Sequence, residues 1–354
     1  MRTNGTLAEI HGTVAGTSGT LVTIRGTFAG HGEAGADRLE RMATAITYTA
    51  FGGPEVLTVT DIDVPAPGPG EVAVRVEAAG VNPIDYKLRA GIRPSAVIAE
   101  PRRIGFDGAG VVTAVGEDVE GFRAGDAVVL VDAPGTYATE VVVTPAQLVP
   151  RPPQVSAAVG AGVGIPAATA YQSLRSLAIG AGDTVLLHGG SGAVGQAAIQ
   201  FATLWGARVI ATTSDRRADR VRALGAEPIP YAPGIAARVR EIAPDGISVA
   251  LDLVGTDEAL ASSIELVADR SRVATIVRGA DADGLGIRAF SGGSPRPLTA
   301  AERAWRAEAV PVTLNLLAAG RFSIELGAQL PLAEAVEAHR LVEAGTDGKV
   351  VLLP

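Results

Sequence analysis

Residues 183–205, DTVLLHGGSGAVGQAAIQFATLW, constrain this chain more than any other stretch. Val185, Leu186 and Leu187 form an apolar run suited to a buried strand. Gly190, Ser191, Gly192, Ala193, Val194 and Gly195 follow, and Val194, Ala197, Ala198, Phe201, Ala202 and Trp205 then share one helical face. This is G-x-G-x-x-G between a strand and a helix, the setting that gives the motif its meaning. Gly190 is expected to supply the tight turn, Gly192 to let the backbone approach a pyrophosphate, and Gly195 to let the helix pack close to the sheet. Backbone N–H groups of Ser191, Ala193 and Val194, at the start of the helix, are expected to meet the phosphate charge. Alone, the motif reads equally as a structural glycine turn. A second apolar run after Gly206, Arg208 to Thr212, completes a βαβ unit and predicts dinucleotide binding.

The 354 residues suffice for two domains, and 47% of them are apolar. A formal charge of −8 argues against nucleic acid, which selects a basic face. No cysteine is present, which excludes disulfides, thiolate catalysis and every cysteine zinc site. It also suits a reducing compartment such as the cytoplasm. No apolar run reaches the ~18 residues of a membrane helix. The histidines His11, His31, His188 and His339 are scattered, so no metal site is expected, and His188 reads as structural.

Residues 1–41 repeat Gly-Thr pairs without helical periodicity and are expected to form a flexible leader, with Met42 a candidate translation start. From Ala43 to about Val149, short runs cut by Gly and Pro predict the strands of a small β-barrel. Residues 155–177 read as a partly helical bridge. Residues 183–279 alternate strand and helix, as in a doubly wound parallel sheet. Residues 281–300 read as irregular, 301–320 and 333–344 as helices, and 349–352 as a closing strand.

Several segments together resemble the medium-chain dehydrogenase/reductase superfamily, and its zinc-independent quinone oxidoreductase branch most of all. They are FGGPEVL at 51–57, GVNPIDY at 80–86, GFDGAGVV at 105–112, GFRAGD at 121–126, the glycine turn, and GKVVL at 348–352. The resemblance runs from about Ala43 to Pro354. It implies an α/β fold with a GroES-like β-barrel catalytic domain at 42–165, a Rossmann domain at 166–300, and a return to the first domain at 301–354. It also implies that relatives pair as homodimers through the edge of the Rossmann sheet. Zinc-dependent members carry Cys where this chain has Asn82 and His where it has Phe106, and neither replacement suits zinc.

In NAD-binding Rossmann folds an acid ~20 residues past the glycine turn holds the ribose 2′-OH. Here that place falls on Thr213, followed by Ser214, Arg216 and Arg217. A hydroxyl and a guanidinium suit a 2′-phosphate, so the chain is expected to take NADPH (NADP) rather than NADH. Arg216 and Arg217 stand in the first turn of a helix, where cations are disfavoured unless an anion binds. They also read as a solvated basic face continued by Arg220 and Arg222, and Asp215 reads as a helix cap.

Hydride transfer needs no protein nucleophile, because the nicotinamide carries the chemistry. The resemblance places residues 82–87 beside that ring. Asn82 is then a candidate to orient an acceptor carbonyl, and Tyr86 or Lys87 to supply a proton. Asp85 reads as a helix cap and Lys87 alternatively as solvated. Thr169, in the bridge, is a candidate cofactor contact or a hydroxyl bonded within its helix. Leu253, Val254, Ile276 and Val277 end two later strands, where such sheets bind ligands. The expected activity is NADPH-dependent reduction of a small quinone or an activated alkene or enone. An enoyl reductase of a biosynthetic pathway and a non-catalytic nucleotide-binding regulator remain as alternatives.

Overall fold

The computed structural model describes residues 41–92, 97–290, 294 and 296–354, so the expected leader, apart from Arg41, lies outside the described residues. In chain order the first elements are β1 (Arg41–Tyr48), β2 (Thr58–Val64), β3 (Val72–Gly80), α1 (Pro83–Arg89), β4 (Arg102–Arg103), β5 (Asp107–Val115), β6 (Ala127–Leu130), β7 (Glu140–Val143) and β8 (Leu148–Pro150). Two helices follow, α2 (Ala157–Ala161) and α3 (Gly164–Ser176). The alternating stretch is β9 (Thr184–His188), α4 (Ala193–Leu204), β10 (Arg208–Thr213), α5 (Ala218–Ala223), β11 (Glu227–Pro230), α6 (Ile235–Ile242), β12 (Val249–Asp252), α7 (Asp257–Leu266), β13 (Val273–Thr275), α8 (Gly279–Leu285) and β14 (Arg288–Ala289). The chain closes with α9 (Ala300–Ala318), β15 (Leu326–Pro331), α10 (Ala335–Ala344) and β16 (Lys349–Leu353).

Valine-rich β3 forms the spine of the first lobe. It pairs antiparallel with β5, β7 and β16, in a sheet ordered β15-β16-β3-β5-β6-β8. The smaller sheet β2-β1-β4 packs its Ala45, Ile46 and Tyr48 into the same core as Val72, Val74, Val112 and Leu352. Through β15 and β16, the last residues of the chain thus join the sheet that its first strands build. Only Val81 and Asn82 separate the end of β3 from α1, so α1 starts right at the sheet's end.

The second lobe is a parallel sheet ordered β11-β10-β9-β12-β13-β14. Alternation along the strands covers both of its faces. Val185, Leu187, Val209, Ala211 and Leu251 point into a core with α3, α4 and α9. Leu186, Ile210, Ala250 and Val273 point the other way, against α6, α7 and α8. The strand period of two therefore explains why continuous apolar runs suit a sheet buried on both sides. Rings lock α4 in place: Tyr171 stands edge-on to Phe201 (5.1 Å) and Trp205 (5.3 Å), and Phe322 lies 5.0 Å from Phe201. Such pairs each add about 0.5–1.5 kcal/mol beyond their burial.

The stretch 281–300, expected to be irregular, instead contains the end of α8 and the edge strand β14. Its Gly- and Asp-rich sequence, GADADGL, has weak helix propensity. Burial of Ala282 and Ile287 against the sheet overrides it. All described residues belong to one compact unit. No described helix is long and apolar enough to cross a membrane.

Candidate active site

A cleft of about 690 Å³ runs between the lobes. Its floor on the second lobe is the glycine turn. Gly189, not Gly190, takes the left-handed conformation (φ 88°), and its N–H donates to Thr212 Oγ1 at 3.0 Å. Gly190 lies against β10 instead, donating its N–H to Thr212 O at 2.9 Å. A Cβ on Gly195 would stand 2.1 Å from Gly189 O, so α4 can approach the turn only with glycine there. Ser191, Gly192, Ala193, Val194 and Gly195 line the cleft, while Gly190 is packed behind it.

Two strand ends aim apolar residues into the same space. Buried Asp252 accepts the N–H groups of Val254 (3.0 Å) and Gly255 (2.8 Å) and the Thr275 hydroxyl (2.7 Å). Thr275 Oγ1 in turn accepts from the N–H groups of Val277 and Arg278. These local turns fix Leu253, Val254, Ile276 and Val277 along the cleft wall. Thr213 also lines it, with its buried hydroxyl lacking any partner. His188 is buried where β9 meets the turn, 3.5 Å from the Ser262 hydroxyl. Burial lowers its pKa to about 4, so it is neutral.

The first lobe contributes a buried polar cluster that sequence reading had not assembled. Asn82 begins α1 with a reciprocal cap, its own N–H donating to Asp85 Oδ2 at 2.7 Å. Its Nδ2 donates to Asp107 Oδ2 (2.9 Å) and Gly80 O (3.3 Å), and its Oδ1 accepts from Lys349 Nζ. The side-chain amide is therefore fully engaged by protein. Lys349 Nζ also donates to Val81 O at 2.9 Å, which leaves one of its three N–H groups uncommitted to either partner. Tyr137 donates its hydroxyl to Asp85 Oδ2 at 2.8 Å, and the Ile165 N–H donates to Asp107 Oδ2 at 2.9 Å. Burial drives Asp85 up to about 7, opposed by the bonds from Asn82 and Tyr137 and by the Lys349 charge. Burial likewise raises Asp107 and lowers Lys349.

Asn82, Lys87 and Lys349 line the cleft, with Val81, Ile165 and Pro166 around them. Tyr86 does not: it is half-buried on α1, with its pKa raised by burial and by nearby Glu343. Thr169 is buried inside α3, one turn beyond the cleft-lining Ile165 and Pro166. Ser214, Arg216 and Arg217 lie past Thr213, outside the lining. Arg217 forms a two-pronged pair with Glu325 (Nη1 to Oε1, 2.9 Å), and Arg216 pairs with Asp347 (Nη2 to Oδ1, 3.1 Å). Sequence gave no warning of either acid. Glu325 and Asp347 lie more than 100 positions away and meet the arginines only because the chain returns to the first lobe. Among the described residues no three His, Cys, Asp or Glu side chains gather as a metal site.

Residues 68–153 match the family described as alcohol dehydrogenase GroES-like domain, and residues 193–290 the family described as zinc-binding dehydrogenase. The quinone oxidoreductase of Pseudomonas aeruginosa is 35% identical over 332 residues, covering 88% of this chain and all of the relative. The solved quinone oxidoreductase of Pseudomonas syringae pv. tomato superposes with TM-score 0.75 at 32% identity, over 88% of this chain and all of that one. The Escherichia coli quinone oxidoreductase, solved in complex with NADPH, superposes with TM-score 0.76 at 26% identity, over 88% and 100% of the two chains.

Proposed function

The chain belongs to the zinc-independent quinone oxidoreductase branch of the medium-chain dehydrogenase/reductase superfamily, and we infer that it is an NADPH-dependent oxidoreductase that reduces quinones. One observation carries this reading. A single cleft joins the glycine turn and Thr213 to the Asn82–Lys349 cluster, with apolar strand ends between them. The residues fit a dinucleotide. The Cβ-free turn permits close backbone approach, and the buried Thr213 hydroxyl is unpartnered where the ribose is expected. When bound, NADPH supplies the hydride.

The protein's own part is to hold, orient and protonate. Ser191 to Gly195 hold the pyrophosphate at the start of α4. Leu253, Val254, Ile276 and Val277 exclude water and press a flat ring against the opposite wall. Asn82 is a positioning residue, because its amide is spent on Asp107, Gly80 and Lys349. Lys349 is the catalytic candidate: its remaining N–H hydrogen-bonds the acceptor oxygen, where negative charge develops, and passes it a proton. Lys87 stands at the cleft as a second cation, and Tyr86 has no direct part in this reading. Arg216 and Ser214 serve the 2′-phosphate. Thr169 acts only through α3.

The two sheets built by β1–β8 with β15 and β16 form the catalytic lobe and the six-stranded sheet the cofactor lobe, with boundaries near residues 165 and 300. The second sheet ends at β14, an edge available to a second copy, so the protein is read as a homodimer. Light scattering after size exclusion should give twice the chain mass. Stopped-flow oxidation of NADPH across a quinone series tests the activity. Turnover with quinones is expected; tight NADPH binding without turnover across the series would sink the assignment.

A further inference from the structure

At one rim of the cleft, two segments face each other across the lobes. One is the 3-10 turn Asp215–Arg217, just after the cleft-lining Thr213. The other is the loop 345–348, whose Gly345, Thr346 and Gly348 also line the cleft. Asp347 sits within that loop and reaches Arg216 through both oxygens, as well as lying 3.5 Å from Arg217 Nε. The two arginines are not equivalent. Arg217 is largely buried and fixed to Glu325. Glu325 accepts in addition from Gln196 Nε2 (2.7 Å) and lies 3.8 Å from Arg220 Nε. Gln196 Nε2 also donates to Ser191 O (2.9 Å), so Glu325 and Arg217 belong to the scaffold of the glycine turn itself. Arg216 is 72% exposed and Asp347 37%, so their pair is screened and weak.

Three guanidinium groups thus face two carboxylates in this cluster, and only Arg216 is free to swing without dismantling the turn. We propose that Asp347 sets the preference between NADPH and NADH, by competing with the ribose 2′-phosphate for Arg216. The inference rests on the NADPH reading of the cleft. A phosphate dianion brings more charge and more acceptor oxygens than a carboxylate, so it displaces Asp347 and takes the guanidinium in a fork. Asp347 then remains beside the phosphate as a like charge, which limits affinity for NADPH and leaves NADH untouched.

Dissociation constants for NADPH and NADH, measured by fluorescence titration at one fixed salt concentration, test this. Asp347→Asn should tighten NADPH roughly three- to tenfold and change NADH by less than about twofold. Asp347→Ser is a second variant that removes the charge with less bulk. Arg216→Ala should weaken NADPH by about ten- to a hundredfold, as expected for a lost charge-assisted bond. The gain from Asp347→Asn should shrink in the Arg216→Ala background, where only the like-charge repulsion is left to relieve. The proposal is overturned if Asp347→Asn and Asp347→Ser leave NADPH binding unchanged or weaker. It is equally overturned if the gain persists undiminished without Arg216. Wild-type protein that binds NADH as tightly as NADPH would remove the cofactor reading itself, a result seen before any variant is made.

Discussion

Lys349 is the residue on which the polar geometry of the cleft converges. Its ammonium holds Val81 O and Asn82 Oδ1, and it is the cation that faces the buried Asp85 and Asp107. Lys349→Met keeps most of the length of the side chain but strands two acceptors and removes the countercharge. A buried carboxyl left without its cation is costly, so the melting temperature should fall. On the proposed role, kcat/KM for quinones should drop about ten- to a hundredfold, the worth of one hydrogen bond to a charged group. The NADPH dissociation constant should change much less. A folded variant with unaltered kcat/KM would show that Lys349 only supports Asn82. The same residue explains why Asn82, visible in the sequence as a neutral donor, does not reach an acceptor: its partners Asp107 and Lys349 are 25 and 267 positions away.

At the scale of elements, the close contact between α4 and the glycine turn is the feature most open to test. Gly195→Ala would place a methyl 2.1 Å from Gly189 O, so α4 must back away from β9. Overpacking of this kind costs about 1–3 kcal/mol. The variant should lose both thermal stability and NADPH affinity, because the displaced N–H groups are those proposed to hold the pyrophosphate. Calorimetric melting and nucleotide titration matching wild type would refute the close-packing argument. Elements of this sort are legible in a sequence because their causes are local. The run of Val185 to Leu187, the glycines and the apolar face of α4 all act within about 20 residues. The helix α6 (Ile235–Ile242) and the final strand β16 (Lys349–Leu353) announce themselves in the same way. What stayed hidden depends on distant partners. Helix α8 forms only because the sheet buries Ala282, and the positive φ falls on Gly189 because Thr212 accepts its N–H. Arg217 reads as a phosphate ligand until Glu325 arrives from 108 positions away.

Across the whole molecule, buried ionisable groups in both lobes oppose one another as pH changes. His188 lies in the second lobe, with its pKa lowered by burial to about 4. His339 lies in the first, edge-on to Tyr137 and 3.5 Å from Arg89, which burial and that arginine lower to about 3. Between those values and an ordinary histidine pKa near 6.5, the unfolded chain binds protons that the folded chain refuses. Both histidines therefore make stability rise with pH over that range, and fall on acidification. Asp85 works the other way. Its carboxyl, raised to about 7, keeps its proton in the folded state while the unfolded side chain ionises near 4, so it makes stability fall as pH rises from about 4 to 7. Asp107, also raised, adds to that fall. Each proton of difference contributes about 1.4 kcal/mol per pH unit. Asp85→Asn preserves the acceptor for Asn82 and Tyr137 but removes the charge. It should therefore gain stability relative to wild type as pH rises, and climb most steeply between pH 4.5 and 6.5. His188→Gln and His339→Gln should each climb less steeply than wild type in the same interval. Urea unfolding at half-unit steps of pH gives the four slopes directly, wild type included, and any other order among them would mean that these groups do not carry the opposing titrations.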